Sequence, residues 1–487
     1  MYYVSMKAKV LIIWLCFVLL GTFVGPIIVV NPRTYLLIGL LICASSLVVL
    51  RKVYFFGILF GIGLLFISIF NFQYKASTLE TLNHLAAKES VKVTAYVDDL
   101  PQKTQFGTKV IFRINTSTEP ALVGTKFFGY VRDYPKLTYP EIVKADIKIS
   151  EYAPDKKWSL IKNDVIGESS IYTFEQIGFQ IGPIITLKGW LLSLRLAFND
   201  AIARSLPAAE AGLASGIILG EKALLTQEMI RDLQTSGTTH IIALSGYNIT
   251  VILGLFIFMK SRFSKLTNLV VPVIFIILFT LMTGAAPSLV RAAIMGALPL
   301  AARYLGRESD NFISILFAAT VMAMFNPFLP LYDVGFQLSF VAFAGIIYIS
   351  PIIANMGKSL GETASGAISE SLGAQIATIP LLSYYFGMLS IVSPVANFVI
   401  LGLMPTCMAL AFLVGFGGMI WAPLGNFFAI PTYFLLHFVN QSISFFGNLP
   451  GAAKSIKIEN PLWILVFYFV LFDAWYLLRN VGRVRPT

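Results

Sequence analysis

The chain has 487 residues, 57% of them hydrophobic and 13% charged, with a mean hydropathy of +0.77. That balance excludes a soluble globule and indicates a polytopic α-helical membrane protein. The net charge of +11 suits basic cytoplasmic loops and does not by itself imply a nucleic-acid partner.

An apolar run over residues 10–30 opens the chain, and further runs over 35–50 and 53–72 complete three predicted transmembrane helices within residues 1–75. The first run is longer than a signal-peptide core and no small-x-small site follows it, so a retained helix is expected. Lys7, Lys9, Arg51 and Lys52 outweigh Arg33 and place the N-terminus in the cytoplasm. Residues 76–165 change character. Short alternating runs such as VKVTAYV (91–97) and TKVIFRI (108–114), separated by Pro and Gly, predict a small all-β domain of about five strands, plausibly a compact barrel, outside the cell. With thirteen Lys/Arg against eleven Asp/Glu over 76–165, this domain is nearly neutral. Phe106, Phe112, Phe127, Phe128 and Tyr130 either stack bases in a nucleic-acid groove or form the barrel core. Residues 166–235 read as an amphipathic interfacial helix over 185–206 followed by a re-entrant or interfacial small-residue run over 208–220.

Residues 236–487 form the main membrane domain. Read as one helix, TSGTTHIIALSGYNITVILG (235–254) carries Thr239, Ala243, Gly246, Thr250 and Gly254 on one stripe without bulk. Such a stripe suits either tight helix packing or a water-filled path, and the polar neighbours His240, Ser245 and Asn248 favour a path. The following spans zigzag so that Thr239/His240, Arg291 and Asp333 each lie near the start of a helix entering from the outer face. Arg291 in a first turn opposes the helix dipole and needs Asp333, Glu221 or an anionic ligand as partner. The competing reading is a structural Arg–Asp bridge. Pro380, Pro394 and Asn397 mark broken helices of the kind that border a cavity. Arg479, Arg483 and Arg485 place the C-terminus inside. Cys16, Cys43 and Cys407 have no metal-ligand spacing, and His84, His240 and His437 stand far apart, so neither a metal nor another cofactor is expected.

SGTTHIIALSGYNITVI (236–252), PSLVRAAIMGALPLAARYLGR (287–307), NPFLPLYDVGFQLSFVAFAG (326–345) and AQIATIPLLSYYFGMLSIVSPVAN (374–397) resemble, in order, motifs of the ComEC competence-protein family. The resemblance implies a channel passing one strand of transforming DNA through the cytoplasmic membrane, with an OB-like fold for the β domain. It points to His240, Ser245, Gly246, Arg291, Asp333, Gly335, Gln337, Ser339 and Glu221. Asn248 stands where many members carry histidine, which removes a titrating group there. Many members also carry a C-terminal metallo-β-lactamase-like nuclease domain, for which this sequence has no His/Asp cluster, so a separate nuclease is the expected partner. A DNA receptor and a cytoplasmic ATPase or DNA-binding protein are expected too, since no GxxxxGK[ST] phosphate loop is present. Single-stranded DNA and membrane lipids complete the partners. The alternative is a secondary transporter or export channel for a small or lipid-linked solute, which would share the polar pocket and broken helices. An intramembrane enzyme is disfavoured, because His240 and Ser245 lie about 140° apart on a helix.

Overall fold

The computed structural model describes the chain except residues 1, 28–30, 47–52, 89, 105–106, 132–136, 154–155, 172–173, 222–223, 243–245, 258–263, 357–361 and 482–487. Phe106 and Ser245 lie outside the described residues. In chain order come α1 (Tyr2–Val24), α2 (Pro32–Ser46) and α3 (Val53–Lys88). Strands β1 (Val91–Val97), β2 (Gln102–Thr104), β3 (Gly107–Ser117), β4 (Lys126–Val131) and β5 (Glu141–Ile147) lead to α4 (Lys157–Ile161), β6 (Val165–Ile171) and β7 (Glu175–Phe179). Then follow α5 (Pro183–Ser205), α6 (Ala208–Leu219), α7 (Gln227–Thr235), α8 (Gly246–Ile257), α9 (Thr267–Met282), α10 (Pro287–Tyr304), α11 (Asn311–Phe325) and α12 (Leu329–Tyr332). The chain ends with α13 (Val334–Tyr348), α14 (Ser350–Met356), α15 (Glu362–Phe386), β8 (Met388–Ser390), α16 (Ser393–Leu401), α17 (Met404–Ile420), α18 (Ala422–Gly447), β9 (Ala453–Ser455) and α19 (Leu462–Val481).

The protein is thus mostly helical with a separate β region. Among the described residues three helices are long and apolar enough to cross a membrane, within Gly57–Lys88, Val334–Asn355 and Ala422–Gly447. A fourth results if α16 and α17, bent by 50° at their junction, count as one span. The chain forms two compact units, Met1–Ser193 with Ala297–Asp333, and Leu194–Gly296 with Val334–Thr487.

In the first unit α3 runs on for 36 residues, well into the stretch expected to be β. Leu79, Leu82 and Ala86 recur at helical spacing, and they pack on the β core. The helix therefore serves as a stalk. Asn83, 1% exposed, donates to the carbonyls of Ser150 (3.0 Å) and Ile166 (2.7 Å) and accepts from the Tyr152 amide. The sheet has seven strands, not five, in the order β6-β4-β3-β1-β5-β7, with β2 on β3. It runs to Phe179, past the expected limit at 165, because β6 returns parallel to β4 and β7 adds to β5. On β3, Val110, Phe112 and Ile114 face the core. Phe112 and Phe127 stack on each other at 5.3 Å and are 0% and 1% exposed, so the base-stacking reading is corrected for both: their faces are already used. Phe128 is also buried, capped by the Lys109 ammonium 3.7 Å from its ring centre. Tyr130 keeps a partly open ring and donates its hydroxyl to Glu168.

In the second unit α6 is a core helix rather than an interfacial one: Glu210 through Leu219 are all buried. Its Ala and Gly residues let α17 and α18 close around it, forming the largest apolar cluster of the unit. Glu210 is accepted into that core by a 2.9 Å contact to His437 Nδ1 of α18. Helices α13 and α15 touch backbone to backbone at Gly345 and Gly373, where a Cβ on Gly345 would lie 2.2 Å from the Gly373 carbonyl oxygen.

Candidate functional site

The polar stretch 235–254 does not form the single helix expected. Gly237 adopts φ +71°, a conformation glycine alone takes readily, with Ser393 Cβ only 2.6 Å from where its own would be. The hydroxyls around it bond back onto α7: Thr239 Oγ1 donates to the Leu233 carbonyl (3.1 Å), and Ser236 and Thr238 share a 2.7 Å bond. Local side-chain bonds of this type compete with the helix. The chain therefore makes a 3-10 turn at Thr239–Ile241, apart from α8 (Gly246–Ile257). Thr239 and Gly254 are not on one helical stripe.

The break opens a cavity of about 470 Å³ in the second unit. His240 and Ile241 enter it from the turn, Gly246, Asn248 and Ile249 from the first turns of α8, and Arg291 from the second turn of α10. Ile217 of α6, Phe343 of α13 and Leu401, Met404 and Met408 of the α16–α17 bend supply apolar walls. The volume falls within the range of about 300–1,000 Å³ usual for ligand pockets.

Arg291 is the charge of this cavity. Its Nε is buried without a hydrogen-bond partner, and among the described residues no carboxylate lies within 4.0 Å of the guanidinium. Its Cζ lies 5.6 Å from the centre of the Phe340 ring. Both partners proposed for it from sequence are engaged elsewhere: Glu221 pairs with Arg195 at 2.8 Å, and Asp333 with Lys162 at 2.8 Å. A half-buried cation without a counter-ion in an apolar wall attracts an anion. The N-terminus of α8 at Gly246 adds to the same positive potential.

The other sequence candidates have local duties. Asn248, 4% exposed, donates its amide to the carbonyls of Ile217 and Ile218, both at 3.1 Å, and so clamps α8 to the end of α6. It borders the cavity but its donors are spent. Gln337 accepts from the Tyr385 hydroxyl at 2.7 Å, linking α13 to α15. Asn397 is buried, donates to Ser393 Oγ at 3.1 Å and leaves its Oδ1 unpartnered, one turn ahead of the cavity-lining Leu401. The methionines and Phe343 of the cavity wall carry no polar signal and were not legible as site residues.

On the β domain the strongest charge cluster surrounds Asp98, which is bound by Lys126 at 2.8 Å, Arg113 at 3.4 Å and Lys188 at 3.8 Å. Burial alone raises the carboxyl pKa, but the hydrogen bond and charge of Lys126, with Lys188 and Arg113, outweigh it and hold it below its ordinary value. Three cations from β3, β4 and α5 thus converge on one carboxylate.

The family model described as Competence protein matches residues 217–481, more than half of the chain. Over 287 residues the chain is 27% identical to ComE operon protein 3 of Bacillus subtilis (strain 168), a match covering 58% of this chain and 36% of that protein. The chain thus spans little more than a third of the length of the curated relative it matches. No solved structure matches it. The matched residues include the turn at His240, the cavity and the α16–α17 bend, and the chain belongs to the competence protein family.

Proposed function

We propose that this protein is a channel of the cytoplasmic membrane that takes up single-stranded DNA in natural transformation. One observation carries the reading: His240 and Arg291, distant in sequence, line one cavity at a helix break within the family-matched region, and among the described residues no carboxylate pairs with Arg291. A conduit for a polyanion needs a few positive groups along an otherwise weakly binding wall, so that the strand is attracted and keeps moving. One cation among Met, Leu and Ile side chains meets that requirement better than a basic groove does.

In this reading the N- and C-termini are cytoplasmic and the β domain is extracytoplasmic, as the distribution of Lys and Arg around the spans supports. The β1–β3–β4 meander and the parallel return of β6 to β4 support an OB-like fold for that domain, which receives or orients the strand. The work is transport rather than bond-breaking, with a separate nuclease, DNA receptor and ATPase or DNA-binding protein as partners. The apolar walls favour the second reading, a transporter of an amphipathic or lipid-linked anion. A deletion strain given labelled DNA, with surface binding and internalisation scored separately, tests the two. Loss of internalisation with binding retained supports the channel, and unchanged internalisation supports the solute transporter.

A further inference from the structure

The motif stretch 326–345, which the family resemblance associates with the transport path, has its first half seated on the β domain. Asn326 Nδ2 donates to the Lys162 carbonyl at 2.6 Å. Phe328 is 0% exposed, edge-on to Phe72 of α3 at 5.0 Å and 6.2 Å from Trp158. Tyr332 lies flat on Trp158, with ring centres 4.3 Å apart and planes 4° apart. Asp333 closes the series on the Lys162 ammonium at 2.8 Å, with side-chain exposures of 13% and 19%. Every β-domain group in these contacts belongs to α4 or to Lys162, the residue that caps its C-terminus. The turn after it is fixed in its own right, since Asp164 adopts φ +57° and pairs with Lys75 of α3 at 2.7 Å. Asp333 is one peptide bond from Val334, the first residue of α13.

We infer that Lys162 and Asp333 form a tether by which the β domain holds the chain entering α13, so that Asp333 is a positioning residue for transport and not a group that touches the strand. A part-buried pair with this geometry is strongly sensitive to loss of one partner and tolerant of exchange of both. The Asn326 bond uses the Lys162 backbone carbonyl, so exchanging the side chains leaves it in place. This inference rests on the uptake reading for its functional consequence, though not for the pair itself.

The test is a charge exchange in the full-length protein, expressed in the deletion strain as Lys162→Glu, Asp333→Lys and both together. Three readouts are taken: protein level in the membrane, protease resistance of the β domain in isolated membranes, and internalised labelled DNA. Each single reversal is expected to lower internalisation by roughly tenfold at unchanged surface binding, and the double exchange to restore it to within about threefold of wild type. Protease resistance is expected to follow the same pattern. A double variant as defective as Asp333→Lys alone, at normal membrane level, overturns the tether. Where a reversal fails to accumulate, Lys162→Met and Asp333→Asn replace it: a double variant no worse than either single supports the tether, and additive losses overturn it. If wild-type protein internalises no DNA while protease resistance is still rescued by the exchange, the uptake reading falls and the tether stands.

Discussion

Asn248 of α8 holds the carbonyl of Ile218 in α6 at 3.1 Å, and that of the preceding Ile217 at the same distance. The last carbonyls of a helix have no partner within it, and these two lie in the last turn of a helix buried from Glu210 onward. The residue that replaces the family's frequent histidine thus acts as a helix C-cap supplied from another helix. Asn248→Ala is expected to lower the stability of purified protein by about 1–3 kcal/mol. Thermal unfolding in detergent measures it. His240 lines the cavity and its ring bonds only locally, to the Gly237 backbone, so His240→Ala is expected to lower the melting temperature less than Asn248→Ala does and to reduce internalised DNA.

Arg291 gives the opposite pattern. Replacing a half-buried charge that no carboxylate pairs among the described residues with an apolar side chain of similar length removes a desolvation cost. Arg291→Met should therefore melt at the same temperature as wild type or higher, while internalised DNA falls by about tenfold or more. Arg291→Lys keeps the charge but not the planar fork, and an intermediate uptake is expected. A destabilised Arg291→Met would mean that the guanidinium is a structural group.

The crossing of α13 and α15 depends on two glycines. A methyl on Gly345 would sit 2.2 Å from the Gly373 oxygen, and one on Gly373 would sit 2.9 Å from the Gly345 oxygen. Gly345→Ala is expected to cost about 1–3 kcal/mol by forcing the backbones apart. Reduced membrane level and a lower melting temperature are the readouts, and Gly373→Ala should behave alike.

At the β domain, pH separates a charge role from a packing role. The Asp98 carboxyl is held below its ordinary 3.8 in the folded protein. A depressed folded value means that its stabilisation is fully present above the ordinary carboxylate range and is lost as pH falls through the folded value. Wild-type β domain should therefore lose protease resistance only in strong acid. Asp98→Asn should already be weakened at pH 7 by about 1–3 kcal/mol and show less further change on acidification. Phe112→Ala, by contrast, should be destabilised by about 3–5 kcal/mol at every pH, because it empties a packed core position.

Much of this architecture is legible in the sequence because periodicity reports it directly. Apolar runs mark the long helices, and the alternation of Val110, Phe112 and Ile114 with Lys109, Ile111 and Arg113 marks a sheet with one buried face. Periodicity fails where partners decide the outcome. Residues 76–88 read as the start of the β domain until the core that covers Leu79 and Ala86 is known. The small-residue run of α6 reads as too short to span, and only the helices packed around it reveal a core element. Residues 235–254 keep a helical pattern, and the break comes from hydroxyl bonds and one positive φ that no pattern encodes. The same holds at the site. His240 and Arg291 stand out singly as polar groups in an apolar chain, but their common cavity, and the capture of Asp333 by Lys162 and Glu221 by Arg195, depend on pairings among 36 cationic and 25 acidic residues.

The central claim is that the cavity at His240 and Arg291 lies on the route of the strand. The most direct measurement places a photo-crosslinking amino acid at position 240 in cells taking up labelled DNA, with position 465 on the exposed face of α19 as the control. Covalent adducts with single-stranded DNA are expected at 240 and none at 465. Cells whose position-240 variant still internalises measurable labelled DNA, yet gives no adduct there, would contradict that claim.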